Sequence, residues 1–434
     1  MLGTSKQSAA AQARVILVVK LLAAGLSWLV FWSLAQSLSP TDFGLIAFSI
    51  NLAGFLAVVG AFGQHMQLLR GLPSASRVGA VRQIRRAAIL TASGSGIGLT
   101  VVAGANGFWA LGAFGRLNLA LLLPVIAFSM AFAVAEFLAQ LARGLGDQLL
   151  ALWPRELGWR LSLLIVLPAL LAFAVPQPAT VLYTMAALLG LWVMAQAIVI
   201  RARIRSLPLA SSGQTEPGRS VDFWVSSVAG HALSNVDTLI VGLMLGPQVA
   251  GPYFIANRIA ALLAFFLNAE NMAVTPQIAR LWSLGQVKDL ADMCQKSARR
   301  AATATGVAAC AFLIGGDLVL SAFGPDYVAA TAPLRWLILA VLVNAITGPA
   351  DIALNMTRHE GTARRVAALS LLVGLPAMCA GAFSLGAQGV ACAVFATTVF
   401  RKGVVWATAR RLLSIRCDAF VRPGQVLGAE WQKQ

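Results

Sequence analysis

Apolar stretches of roughly 20 residues recur along the whole chain, each long enough to cross a hydrocarbon core of about 30 Å as a helix. They fall near 15–37, 43–69, 86–107, 118–142, 150–173 and 178–200, then near 223–245, 250–273, 300–322, 332–356, 365–385 and 388–409. Soluble domains are about 45–50% apolar and about 25% charged. Of these 434 residues 59% are hydrophobic and 11% charged, which no soluble core could absorb. The expected fold is an all-α integral membrane protein of about twelve transmembrane helices.

The formal net charge of +17 would suit nucleic acid, but its distribution argues against that partner. Basic residues occupy alternate connections: Arg77, Arg82, Arg85 and Arg86; Arg155 and Arg160; Arg201, Arg203 and Arg205. The alternation continues with Lys288, Lys296, Arg299 and Arg300, then Arg358, Arg364 and Arg365, then Arg410, Arg411, Arg416 and Arg422. Arg116 and Arg335 are the exceptions. Basic connections mark the cytoplasmic side, so both chain ends are expected in the cytoplasm. The five cysteines lie in spans or cytoplasmic segments, which argues against disulfide or metal frameworks. The first apolar run is longer than a signal-peptide core and reads as an uncleaved span.

A Ser-, Gly- and Pro-rich segment at 206–220 divides the chain near its midpoint. The expected organisation is a six-helix half at 1–205, a cytoplasmic linker at 206–220, a second six-helix half at 221–412 and a basic tail at 413–434. The halves repeat. LSPTDFG at 38–44 matches LGPQVAG at 245–251, and RRAA at 85–88 recurs at 299–302, at offsets of 207 and 214 residues. Glu136, Gln140, Arg143 and Gly146 correspond to Asp351, Asn355, Arg358 and Gly361 in chemical type and spacing. An even number of spans per half gives both the same orientation. That predicts two six-helix bundles related by a pseudo-twofold axis along the membrane normal, with a site between them near the midplane.

LSPTDFGLIAFSINLAGFLA at 38–57, NVDTLIVGLMLGPQVAGPYFIANRIAALLAF at 235–265 and the region Phe323–Arg365 carry a family likeness. Through them the chain resembles the polysaccharide transporter branch of the multidrug/oligosaccharidyl-lipid/polysaccharide flippase superfamily. The resemblance implies two bundles around a central cavity in a bacterial inner membrane. It also implies a cargo of lipid-linked oligosaccharide, carried on an isoprenoid phosphate from the cytoplasmic to the outer leaflet, with membrane lipid and glycan-assembly proteins as partners. No cofactor is expected. The chain shows no Walker loop, which points to an ion gradient, of H+ or Na+, as the driving force.

An ionisable side chain at mid-span costs about 2.5–3.5 kcal/mol on insertion, so each is a functional candidate. Lys20 in the first span and Arg258 in the eighth suit a substrate phosphate, since an arginine fork matches phosphate oxygens. The alternatives are a snorkelling Lys20 and an Arg258 paired with an acid. His231, Asn235 and Asp237, with Ser227, Ser234 and Thr238, form a polar stripe on the seventh span, and Asn257 neighbours Arg258. This set is read as cavity lining or ion coupling; a structural Asp237–Arg258 pair is the alternative. The repeated set Glu136, Gln140, Arg143, Asp351, Asn355 and Arg358 is read as a polar clamp at an inner gate, with ligand contact as its alternative. Glu270 and Asp317 are expected to be solvated at span ends. Two other functions remain open: a cation-coupled multidrug exporter of the same superfamily, and a membrane glycan polymerase or ligase. Short, nearly uncharged outward connections weigh against an enzyme.

Overall fold

The computed structural model describes residues 2–64, 68, 72, 77–109, 119–173, 177–206, 220–357 and 359–420. Arg116, Arg358, Arg422 and positions 207–219 of the linker lie outside the described residues. Every regular element among the described residues is helical. In chain order these are α1 (Leu2–Ser37), α2 (Pro40–Gly60), α3 (Arg77–Trp109), α4 (Leu119–Gly144) and α5 (Gln148–Leu152). A π-helical turn (Trp153–Gly158) leads into α6 (Trp159–Phe173), followed by α7 (Pro178–Arg205), α8 (Ser220–Leu245), α9 (Pro247–Ser283) and α10 (Val287–Ser321). A 3-10 turn (Pro325–Ala330) precedes α11 (Thr331–Ile346), α12 (Ala350–Met356) and α13 (Glu360–Leu413).

Nine helices among the described residues are long and apolar enough to cross a membrane by themselves. The count rises to twelve once three features are included. The 54 residues of α13 would run roughly 80 Å as one rod. Gly386, at φ 60° and ψ −140°, breaks it into two arms, each of spanning length. The α5, π-turn and α6 segment is continuous, and α3 adds another 33 residues. The lipid-facing surface is apolar: Ile314, Phe383 and Ile165 are 86%, 85% and 76% exposed, an arrangement stable only in hydrocarbon.

Contacts divide the chain into two compact units, Met1–Gly251 and Pro252–Gln434. In the first, α4 packs against α7 and α2, and α2 also packs against α3 and α8. Small residues set these approaches. Gly54 lies beneath the His231 imidazole, Gly242 beneath the Phe48 ring, and Trp224 Nε1 donates to the Val59 carbonyl at 2.7 Å. The start of α2 is fixed by Ser39, whose hydroxyl accepts from the Asp42 amide at 3.1 Å and donates to its carboxylate at 2.8 Å, with Pro40 in the first helical turn. Gly246 takes a left-handed φ of 88° at the α8–α9 corner, and Pro247 opens α9 in the same way.

In the second unit α11 packs between α10 and α13. The arms of α13 touch along glycines: Gly381 and Gly389 meet backbone to backbone, and Gly374 sits under the Thr397 side chain. Ser414–Phe420, read from sequence as the start of a basic tail, is docked. Gln295 Nε2 donates to the Arg416 carbonyl at 3.1 Å and Arg299 Nε to that of Ala419 at 3.1 Å, while Trp406 Nε1 donates to the Asp418 carboxylate at 2.9 Å. A Cβ at Gly374 would stand 2.7 Å from Thr397 Cγ2, whereas one at Gly403 meets open space. Gly374→Leu is therefore expected to cost about 1–3 kcal/mol, as overpacking does, and Gly403→Leu to be neutral. Thermal unfolding of the two variants in detergent is the check.

Candidate functional site

Proline creates the best-defined polar cluster. Pro154 has no N–H to give the Leu150 carbonyl four residues back, and a bilayer supplies no substitute. The helix widens into the π-turn, and buried Gln196 of α7 donates Nε2 to the Leu150 oxygen at 2.8 Å. The displaced Arg155 carbonyl accepts from Trp159 Nε1 at 2.7 Å and from Arg160 Nη1 at 3.1 Å. Gly158 lets the Trp192 indole pack close, since a Cβ there would lie 2.6 Å from its Cδ2.

The π-turn carries its charged side chains onto α4. Arg155 Nη1 lies 2.7 Å from Glu136 Oε2, and Gln140 Nε2 donates to Glu136 Oε1 at 2.7 Å. Glu156 pairs with Arg160 at 3.2 Å and stands 3.8 Å from Arg155 Nε. The Phe132 ring lies 5.8 Å from the Arg155 guanidinium, and the Trp159 ring 4.9 Å from that of Arg160, distances at which an aromatic face attracts a cation. Side chains of Glu136 and Arg155 are 15% and 25% exposed, too desolvated for a surface pair yet open at one edge.

The repeated acid in the second unit finds different partners. Asp351 on α12 pairs with Lys402 and, at 3.3 Å, with Arg401, both from the second arm of α13. The Lys402 side chain is 5% exposed, so its ammonium depends on that carboxylate. The stripe thus repeats in residue type but not in wiring. Both acids hold cations within their own units, Gln140 binds Glu136, and Asn355 is exposed. Arg143 is half-buried at the end of α4.

The remaining candidates lie elsewhere. Lys20 is exposed on α1, beside Val19 and Ala23, which pack on Leu152 and Leu157. His231 stands 6.5 Å, ring to ring, from Phe55, and Asn235 Nδ2 donates to the His231 carbonyl at 3.2 Å. Asp237 and Thr238 are buried one residue apart on α8. Asn257 and Arg258 are half-buried on α9, with the Arg258 guanidinium 4.6 Å from the Phe254 ring. Asp237 belongs to the first unit and Arg258 to the second. Glu270 lies within α9, a quarter exposed, and binds the exposed Arg300 at 3.0 Å and Ser297 at 3.2 Å. Asp317 and Arg335 are half-exposed and 4.0 Å apart.

Sequence reasoning passes over Arg155, Glu156, Arg160, Arg401 and Lys402 as site residues. Arg155 and Arg160 read as a cytoplasmic connection because the π-turn is invisible to a helical wheel. Arg401 and Lys402 had a usable signal, two adjacent cations inside the twelfth apolar run.

This arrangement of helices is shared with known transporters. Over 92% of its length the chain superposes on 94% of an inward-facing multidrug resistance MATE family transporter of the MOP superfamily, with a TM-score of 0.58 at 15% identity. It covers 87% of the lipid II flippase MurJ in an inward closed conformation with 91% of its own length, at TM-score 0.60 and 12% identity. A MOP superfamily transporter from Pyrococcus furiosus, for which reverse polarity of the binding pocket suggests a different function, aligns at TM-score 0.58 and 14% identity, over 92% of this chain and 94% of that one. A search of curated proteins finds no match. The fold is that of the MOP transporters, an all-α membrane architecture of two six-helix bundles. Residues 9–282 match the family described as "Polysaccharide biosynthesis protein", and the chain belongs to that family.

The Glu136–Arg155 pair is expected to behave as a coupled unit. Arg155→Ala should destabilise the protein by about 1–3 kcal/mol more in the native background than in Glu136→Ala, the range for residues sharing one network. A double-mutant cycle of unfolding in detergent measures the difference.

Proposed function

We propose that this protein is a flippase that moves an isoprenoid-phosphate-linked oligosaccharide from the cytoplasmic to the outer leaflet by alternating access. The observation that carries the reading is the match of residues 9–282 to a polysaccharide biosynthesis family on a fold that also serves a lipid II flippase. Charge supports it. Lys20, Arg155, Arg160, Arg258, Arg401 and Lys402 outnumber Glu136, Glu156, Asp237 and Asp351 along the spans, an excess that suits a phosphate anion better than a cationic drug. In this reading Lys20 and Arg258 neutralise the phosphate. His231, Asn235, Asp237 and Asn257 serve the sugar path or couple H+ or Na+. The two acid–cation sets around Glu136 and Asp351 stiffen the helices that carry them. The lipid tail stays in the bilayer, so the protein performs translocation with no bond made or broken. The halves 1–205 and 221–412 form the transport frame, with both chain ends on the cytoplasmic side of a bacterial inner membrane.

Multidrug export is the second reading, favoured by the likeness to the MATE transporter. The two separate in cells lacking the native copy. Loss of surface glycan with unchanged drug sensitivity is the expected outcome, and the reverse result would assign export. Lys20→Ala/Arg258→Ala is expected to lower glycan export about tenfold or more, since a hydrogen bond to a charged group contributes about 1.5–3 kcal/mol. Full export by that double variant, expressed at native level, would remove the phosphate assignment.

A further inference from the structure

The end of the first unit that carries Arg201, Arg203 and Arg205 holds a cavity of about 380 Å³, within the roughly 300–1,000 Å³ of small-molecule sites. Val15 and Ile16 of α1, with Leu145 and Leu149 of the α4–α5 corner, give it apolar walls. Asp147 and Arg203 give it one charge of each sign. The corner keeps the space open: Gly146 turns the chain at a φ of 84°, and a Cβ there would meet no atom within 4 Å. Asp147 is fixed in place, because its Oδ1 accepts from the Leu150 amide at 3.0 Å and so caps α5. Gln196 holds α7 against the Leu150 carbonyl at 2.8 Å. Arg203, seven residues further and therefore on the same face of α7, reaches Asp147 Oδ2 at 3.5 Å.

That pair is loose. The Arg203 side chain is 64% exposed, and pairs so open to solvent add little to stability, so a ligand can take its place at small cost. Neighbouring side chains set the level of the cavity in the bilayer. Val199 lies one turn before Arg203, about 6 Å along the axis, and is exposed, as are Val15 and Leu149 in the cavity wall. Apolar side chains left open in this way face hydrocarbon, and arginines just beyond them face headgroups. The cavity thus straddles the boundary between acyl chains and phosphates.

We propose that this cavity binds a resident membrane phospholipid with a primary-amine headgroup, of the phosphatidylethanolamine class. The Arg203 guanidinium takes the phosphate, whose oxygens match its fork of donors. The headgroup ammonium, two carbons beyond the phosphate, donates to Asp147 Oδ2 in place of Arg203. Val15, Ile16, Leu145 and Leu149 cover the glycerol and the first methylenes of the acyl chains. One acid beside one cation matches a zwitterion. A choline headgroup has no N–H for Asp147, and a glycerol headgroup brings it only neutral hydroxyls. None of these residues is among those assigned to cargo or ion coupling, so the lipid joins α1, the α4–α5 corner and α7 as part of the scaffold.

The test uses the purified full chain in mixed micelles, with the thermal-unfolding midpoint followed against lipid mole fraction, since a ligand of the folded state raises that midpoint. Dioleoylphosphatidylethanolamine is expected to act at mole fractions about tenfold or more below those that dioleoylphosphatidylcholine or dioleoylphosphatidylglycerol requires, the difference a hydrogen bond between charged groups makes. Asp147→Asn, which keeps the α5 cap, and Arg203→Gln are each expected to lose that preference and to unfold near the native midpoint without lipid. Arg205→Gln, on the same helix end but outside the cavity, is expected to keep it. Equal response of the native protein to the three lipids overturns the proposal. So does a preference that survives either cavity substitution, or one that Arg205→Gln also abolishes. A midpoint raised as far by soluble glycerophosphoethanolamine at the same concentration overturns the assignment to a membrane lipid. These readings involve no cargo, so they stand or fall apart from the flippase reading.

Discussion

Hydrocarbon offers no partner to a free amide or carbonyl, so wherever this chain leaves regular helix the freed group must find a donor or acceptor within the protein. Three departures obey that constraint. At Pro154 the Leu150 carbonyl is taken up by Gln196, a polar residue that would be costly inside α7 without that bond. In the π-turn the Arg155 carbonyl collects two side-chain donors, and holding that backbone open turns Arg155 toward Glu136. At the α11–α12 break the Ile346 carbonyl accepts from the Ala419 amide at 3.0 Å, which draws the Ser414–Phe420 segment onto the unit. The site chemistry of the first unit thus follows from a backbone repair.

The same logic explains why the two halves are alike in frame and unlike in wiring. Frame features such as the Pro and Gly corners and the basic openings of α3 and α10 are local, and a duplicated segment keeps them. An ion pair needs a second helix to supply its cation. The π-turn supplies Arg155 to Glu136, and the second α13 arm supplies Arg401 and Lys402 to Asp351. Ser370, which stands where the 215-residue offset would put a counterpart of Arg155, is buried and donates to its own helix at the Val366 carbonyl. Each acid is compensated, by a different device.

The number of spans, the repeat and the corner motifs are legible in sequence because each depends on composition or spacing within one segment. Ser39, Pro40 and Asp42 announce a helix start by local chemistry, and the structure places the cap there. The partners of Glu136, Asp351 and Glu270 are not legible, because a pairing between helices depends on rotation about each axis. One inserted residue, as in the π-turn, shifts that rotation by about 100°. Glu270 reads as solvated near the end of an apolar run and is a quarter exposed, while its partners Arg300 and Ser297 come from α10, which position along α9 alone does not reveal.

Charge and glycine divide the mechanical roles. The ion pairs on α4, the π-turn, α12 and α13 join helices of one unit, and separating a partly buried pair would strand a charge at a cost of several kcal/mol. Motions that keep those pairs intact are therefore favoured over motions that break them. The Gly44–Gly251 contact, inside the first unit, carries no charge: each glycine packs against the backbone of the other corner. The two corners share Leu, Pro and Gly at matching positions. Both sides of this contact meet the same steric limit, so a side chain added on either side would overlap the backbone of the other.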